Sequence, residues 1–179
     1  MYRLFSGTHN MEKMKTLLFI ISLFIAINSF AQLPVWIQKT GKPETKLILQ
    51  EVYTKENIVS KYGEITRYSS SYDNEVYNAT VQRIEFNGLF VQTINNKINQ
   101  FSFNCKQMEL RMECWGMTIK PGDNIDKYRN LSKDKGTVST SSNHFRIYVK
   151  INGEDLDEHL ILYFNEDKKI RSIVWFVPI

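Results

Sequence analysis

The chain has 179 residues, 42% of them apolar and 13% aromatic, with 23 Lys+Arg against 19 Asp+Glu for a net charge of +4. This composition excludes a disordered or collagen-like chain, and two cysteines exclude both a disulfide-dense mini-scaffold and a four-cysteine zinc site. The length suits one ordinary domain or two very small ones.

The N-terminal segment reads as an address. Lys13 and Lys15 form a basic n-region, residues 17–27 are an apolar run broken only by Ser22, and Ser29-Phe30-Ala31 offers small residues at the −3 and −1 positions of a cleavage site. Eleven helical residues cover only about half of a ~30 Å hydrocarbon core, which favours a cleaved signal peptide over an anchor. Residues 1–10 add nothing to the signal, so Met11 and Met14 are alternative starts, and no cysteine follows Ala31 for lipid attachment. Cleavage removes Arg3, Lys13, Lys15 and Glu12, leaving 20 basic and 18 acidic residues over 148 positions and a net charge of +2. That charge, without a Lys/Arg cluster, argues against nucleic acid. No later apolar run approaches the ~20 residues of a membrane span. The expected location is periplasmic or extracellular.

In chain order, the segment 47–53 fits either a strand or a helical turn. Thr54 is then an N-cap, Ile58 and Tyr62 lie on one helical face, and Gly63 terminates the helix. A polar loop is expected at Ser69-Ser70-Ser71. Tyr77, Ala79 and Val81 share one strand parity while Ile84 and Phe86 take the other, which predicts a bulge near Gln82-Arg83. Asn87-Gly88 is a hairpin turn and Asn95-Asn96 interrupts the next apolar stretch. Met108, Leu110, Met112 and Cys114 alternate with Glu109, Arg111 and Glu113 as a linking strand. Asp123 caps a second helix bearing Ile125 and Tyr128, and residues 139–143 form a second polar loop. Strands follow over residues 145–151, 160–164 and 170–176, with turns at Asn152-Gly153 and residues 165–168.

The order of features repeats. Ile58 to Ile125 is 67 positions, Tyr62 to Tyr128 is 66, Gly88 to Gly153 is 65, and Ile98 to Ile170 is 72. The predicted class is therefore α+β: a signal-bearing extension over 1–31, then a single domain over 32–179. Within it, tandem units at about 46–104 and 117–176 each comprise a short helix and an antiparallel three- to four-stranded meander, in a continuous or paired sheet.

Thr54 to Gly63 with its terminal Tyr-Gly, residues 119–125 (Ile-Lys-Pro-Gly-Asp-Asn-Ile), Asn96-Lys-Ile98 and Asp167-Lys-Lys-Ile170 carry a resemblance. In this pattern the chain resembles the β-lactamase-inhibitor-protein fold and the small outer-membrane assembly lipoproteins built on one such unit. The resemblance implies an exported, non-catalytic protein that binds another protein, with no inhibitor residue transferable by position.

Little of the chain reads as catalytic. No serine-nucleophile elbow, phosphate loop, dinucleotide fingerprint or His-Glu-x-x-His pattern occurs. His144 and His159 are the histidines after the signal. The run from Glu154 to His159 offers carboxylates for a dyad or for Ca²⁺, but lacks the Gly and distal Glu of a Ca²⁺ loop and reads as a solvated hairpin tip. Cys105 and Cys114 stand nine residues apart; along a strand that is roughly 30 Å, beyond disulfide reach, so unpaired buried thiols are expected unless residues 106–114 fold back. Trp115-Gly116 reads as a packed bend. Asn78 and Asn130 head glycosylation sequons that matter only in a eukaryotic secretory pathway.

Composition points instead to a surface. One parity of the last three strands collects Arg146, Tyr148, Lys150, Ile161, Tyr163, Arg171, Ile173 and Trp175; the other holds Phe145, Ile147, Val149, Leu160, Leu162, Phe164, Val174 and Phe176. The aliphatic and Phe side is expected to pack on the helices. The Tyr, Trp and Arg side has the composition of protein-interface hot spots, or else covers the first half's sheet or an N-terminal strand containing Trp36. The expected function is that of an exported non-enzymatic protein with an envelope protein as partner, no cofactor and no metal. Arg146, Tyr148, Tyr163, Arg171 and Trp175 are its contact residues. A small-ligand carrier and a carboxylate-based hydrolase are the alternatives.

Overall fold

Local chemistry shapes the first helix. A computed structural model describes residues 35–129, 136–151 and 154–177, all within one unit, Leu33–Ile179; the expected signal segment lies outside them. Thr54 Oγ1 accepts the Asn57 N–H at 3.2 Å and Asn57 Oδ1 accepts the Thr54 N–H, a reciprocal cap for α1 (Lys55–Tyr62). Gly63 ends it at a φ of 95°.

Two strands precede α1: β1 (Val35–Lys39) and β2 (Lys42–Ile48). After it run β3 (Arg67–Asp73), β4 (Ala79–Phe86), β5 (Leu89–Ile94), β6 (Lys97–Phe103) and β7 (Met108–Met112). A 3₁₀ turn at Glu113–Trp115 leads to β8 (Met117–Ile119), and α2 (Asp126–Arg129) is a single turn. The chain closes with β9 (Gly136–Thr140), β10 (His144–Ile151), β11 (Glu154–Phe164) and β12 (Ile170–Phe176). Asn95 and Asn96, with φ of 48° and 65°, form the tight β5–β6 turn, a backbone conformation that asparagine tolerates better than most residues.

Every strand pairing among the described residues is antiparallel. A four-stranded sheet runs β2-β1-β7-β8 and an eight-stranded sheet runs β3-β4-β5-β6-β12-β11-β10-β9. Their facing side chains form one core: Val35, Ile37, Leu47, Met108 and Leu110 from the smaller sheet meet Ile84, Val91, Phe101, Leu162 and Trp175 from the larger. Ile58 of α1 and Tyr128 of α2 close its margins. Burial, and after it the hydrogen bond that the Tyr128 hydroxyl donates to Asp123, holds the Tyr128 pKa far above the ordinary value.

The α+β expectation is overturned. Strands dominate, the helices have eight and four residues, and no helical layer covers either sheet among the described residues. The tandem units fail for a topological reason: β1, β2, β7 and β8 come from before, inside and between them, yet form one sheet. The aliphatic side of the last strands packs on this sheet as well as on the helices. Of the polar serine-rich stretches expected as loops, Ser69–Ser71 lies in edge strand β3; of residues 139–143, Ser139-Thr140 lies in edge strand β9 and Ser141–Asn143 forms the β9–β10 connection. An edge strand exposed on both faces carries no apolar alternation. The bulge expected at Gln82-Arg83 is absent from β4, whose register is unbroken; the β5–β6 pairing shifts instead, where Gln92 meets Gln100 and Thr93 meets Ile98, leaving Asn99 of β6 as the extra residue. The parity break has another cause, since Val81 is buried on one face of the sheet and Ile84 on the other. Asn152-Gly153 lies outside the described residues.

Trp175 pairs with Leu160 and Phe101 and is wholly buried, so its indole is structural. Trp175→Ala should cost about 3–5 kcal/mol by denaturant unfolding. Tyr163→Ala, at a surface position, should cost less than about 1 kcal/mol.

Candidate functional site

Strand pairing decides which side chains share the outer face of the larger sheet. On β10 these are His144, Arg146 and Tyr148, opposite Tyr163, Ile161 and His159 of β11. Next come Ser172, Val174 and Phe176 of β12, then Ser102 and Gln100 of β6, then Phe90 of β5 and Glu85 of β4.

The rings form two clusters along a strip of this face, on either side of the Arg146–Ile161 pair. His144 lies 5.8 Å from Tyr163 and Tyr148 5.8 Å from His159, which sits 5.2 Å from Phe176. Arg146 Nη1 donates to the Tyr148 hydroxyl at 3.2 Å, while Arg146 Nε is buried without a hydrogen-bond partner. Tyr163 is 37% exposed, and His144, Arg146, Tyr148, His159 and Phe176 are half-buried. His159 Nδ1 lies 3.0 Å from the Asp157 carbonyl, which only accepts, so Nδ1 carries a hydrogen. Four strand positions separate His144 from the residue opposite His159, roughly 13 Å, too far for a shared proton or metal.

Beside the strip runs a groove in two open compartments of about 250 and 280 Å³, joined at Asn104 and Ser172. Glu85, Phe90 and Val174 line one; Asn143, Tyr163 and Arg171 line the other. Gly88 sets the position of Asn104. A Cβ at Gly88 would come within 2.8 Å of Asn104 Oδ1 and 2.9 Å of Cys105 Cβ, and its φ of +80° disfavours any other residue.

Of the expected contact residues, Arg146, Tyr148, Tyr163 and Arg171 reach this face or its groove. Trp175 does not. Tyr163 pairs with Ser172 but Phe164 with Ile170, so Arg171 is an extra, bulged residue. Beyond it Ile173 and Trp175 turn inward, while Val174 and Phe176, expected in the core, turn outward. Phe176, Phe90, Glu85 and Asn104 were not expected here; Phe176 depends on the β11–β12 pairing, and the other three on the β6–β12 pairing, between residues about 70 positions apart.

The acidic run belongs to strand β11 rather than to a hairpin tip, and the side chains of residues 154–156 lie outside the described set. Among the described residues no His/Cys/Asp/Glu cluster suits a metal. Cys105 is a half-buried free thiol, and the Cys114 side chain lies outside the described set. Trp115 is buried at its bend, where Gly116 takes a left-handed φ of 59°.

The outer face of the smaller sheet, which holds Trp36, carries a satisfied network. Glu109 Oε1 accepts from Gln38 Nε2 at 2.7 Å and from Arg111 Nε at 2.9 Å, and Gln38 Oε1 accepts from Trp36 Nε1 at 3.1 Å. Lys46 Nζ stands 3.9 Å from the Trp36 ring centroid. Each of these groups has its partner, so the network reads as structural.

No family model matches the chain. No curated protein matches it either. Among solved structures it is similar to an extracellular protein containing a SCP domain from Bacillus anthracis str. Ames, at 12% identity and a TM-score of 0.39, over 72% of this chain and 44% of that one. The chain thus spans under half of that protein's length, and a likeness of this size carries no argument. No helix among the described residues is long and apolar enough to cross a membrane.

Burial raises the pKa of Glu158, beside His159 on β11, so the folded state binds its proton more tightly than the unfolded state. The charged form is thus a cost that appears as pH rises above the ordinary value of 4.5. Glu158→Gln should raise the melting temperature at pH 7 by calorimetry, and the gain should vanish below pH 4.5.

Proposed function

We propose that the chain is an exported, non-enzymatic binding protein that holds a protein partner on the outer face of β10, β11 and β12. The observation that carries this is the strip itself. Tyr148, His159 and Phe176 lie in ring contact, as do His144 and Tyr163, with the half-buried Arg146 on the same face. Tyr and Arg combine broad apolar contact with directed hydrogen bonding, and strand-borne rings lose little freedom on binding. The histidines suit contact groups rather than a relay, since each engages a neighbouring oxygen through Nδ1 and they stand far apart. Export rests on the signal pattern of residues 13–31. An envelope protein is the partner this address favours. Both compartments are open to the surface, which favours a protein segment over an enclosed small ligand.

A photo-crosslinking residue at Tyr163 or Tyr148 should trap the same partner in producing cells, and one at Glu44 on β2 should not. Tyr163→Ala should then weaken binding of that partner roughly tenfold while leaving the melting temperature near that of the parent. Absence of any adduct at both positions, or equal adducts at all three, would contradict the reading.

A further inference from the structure

β3 is one edge of the eight-stranded sheet, at the end opposite β9. It reads Arg67-Tyr68-Ser69-Ser70-Ser71-Tyr72-Asp73, and all but Asp73 are exposed. Edge strands of this length are usually blunted by lysine, proline or a bulge; β3 has none of these and pairs with β4 without a register shift.

The hydrogen-bonding sense of β4 fixes which groups of β3 are open. Thr80 accepts the Asn95 N–H on its carbonyl and gives its own N–H to Asn95 Oδ1, so the even-numbered residues of β4 bond toward β5. The odd-numbered ones bond toward β3, to Arg67, Ser69, Ser71 and Asp73. Tyr68, Ser70 and Tyr72 therefore direct their N–H and C=O groups at the free edge. Among the described residues no hydrogen bond outside the ladders uses them.

The strand is also close to a palindrome. Laid antiparallel on itself about Ser70, it sets Tyr68 against Tyr72 of the partner subunit and Arg67 against Asp73 of the partner subunit. Both pairings recur by symmetry. We propose that the chain forms a two-fold dimer through β3, with a second copy continuing the sheet antiparallel across the edge. The open backbone groups fall in register, since the outward-facing positions meet one another as hydrogen-bonded pairs. Tyr68 and Tyr72, 41% and 59% exposed, become cross-strand aromatic pairs. Arg67 is free to move across, because its side chain is 77% exposed and stands 4.0 Å from Glu85. Asp73 takes the N–H groups of Glu75, Val76 and Tyr77 on Oδ1, which leaves Oδ2 for the guanidinium. The contact is a single strand edge, below the ~1,200 Å² of standard interfaces, so the dimer is weak and concentration-dependent. It leaves β10 to β12 uncovered and does not depend on the partner proposed for them.

Sedimentation velocity over a concentration series of the mature chain tests this. The parent should show a monomer–dimer equilibrium. Ser70→Pro should sediment as a monomer with an unchanged near-ultraviolet spectrum, because proline is tolerated where an edge N–H is unused. A parent that stays monomeric at millimolar concentration, or a folded Ser70→Pro protein that dimerises like the parent, would overturn the proposal. If Ser70→Pro loses the native spectrum, Arg67→Glu decides instead: the dimer should weaken roughly tenfold, and unchanged association would overturn the proposal.

Discussion

The pairing of β6 with β12 is the constraint on which the rest of the structure depends. Phe103 meets Ile173, Ser102 meets Val174, Phe101 meets Trp175 and Gln100 meets Phe176. Without that seam the chain would hold two four-stranded meanders, each with a free edge and half of an apolar face. With it, Phe101 and Trp175 are buried side by side and the eight strands present one surface to the smaller sheet. The seam closes a long loop and so costs chain entropy, which the burial of these large side chains offsets.

The same seam builds the outer face. Val174 and Ser102 lie at the join, between Ile161 on one side and Phe90 on the other. The groove that links Glu85 to Arg171 exists because residues from both meanders meet there. The sheet then presents two different surfaces for association. Its outer face offers rings and a guanidinium, while its β3 edge offers unused backbone groups.

What could be read from the sequence was local. The Thr54 cap, the Gly63 stop and the Asn87-Gly88 and Asn95-Asn96 turns depend on residues within a few positions of one another. The parity of β10 and β11 was also legible, so Arg146, Tyr148 and Tyr163 were placed on one face correctly. The bulge at Arg171 was not legible. It depends on how Tyr163 and Phe164 pair across the hairpin, and it moved Trp175 from the expected contact surface into the core. The smaller sheet escaped notice because it joins two local strand pairs, β1-β2 and β7-β8, that lie far apart in the chain, and two short helices were given more weight than they hold. Serine-rich edge strands look like loops because neither face is buried.

Cross-strand nuclear Overhauser contacts between β6 and β12 test the seam most directly. The account predicts backbone contacts between Phe101 and Trp175 and between Phe103 and Ile173, in the register that turns the Trp175 indole inward. Their absence, or contacts shifted by one residue so that Trp175 shares a face with Tyr163, would contradict it.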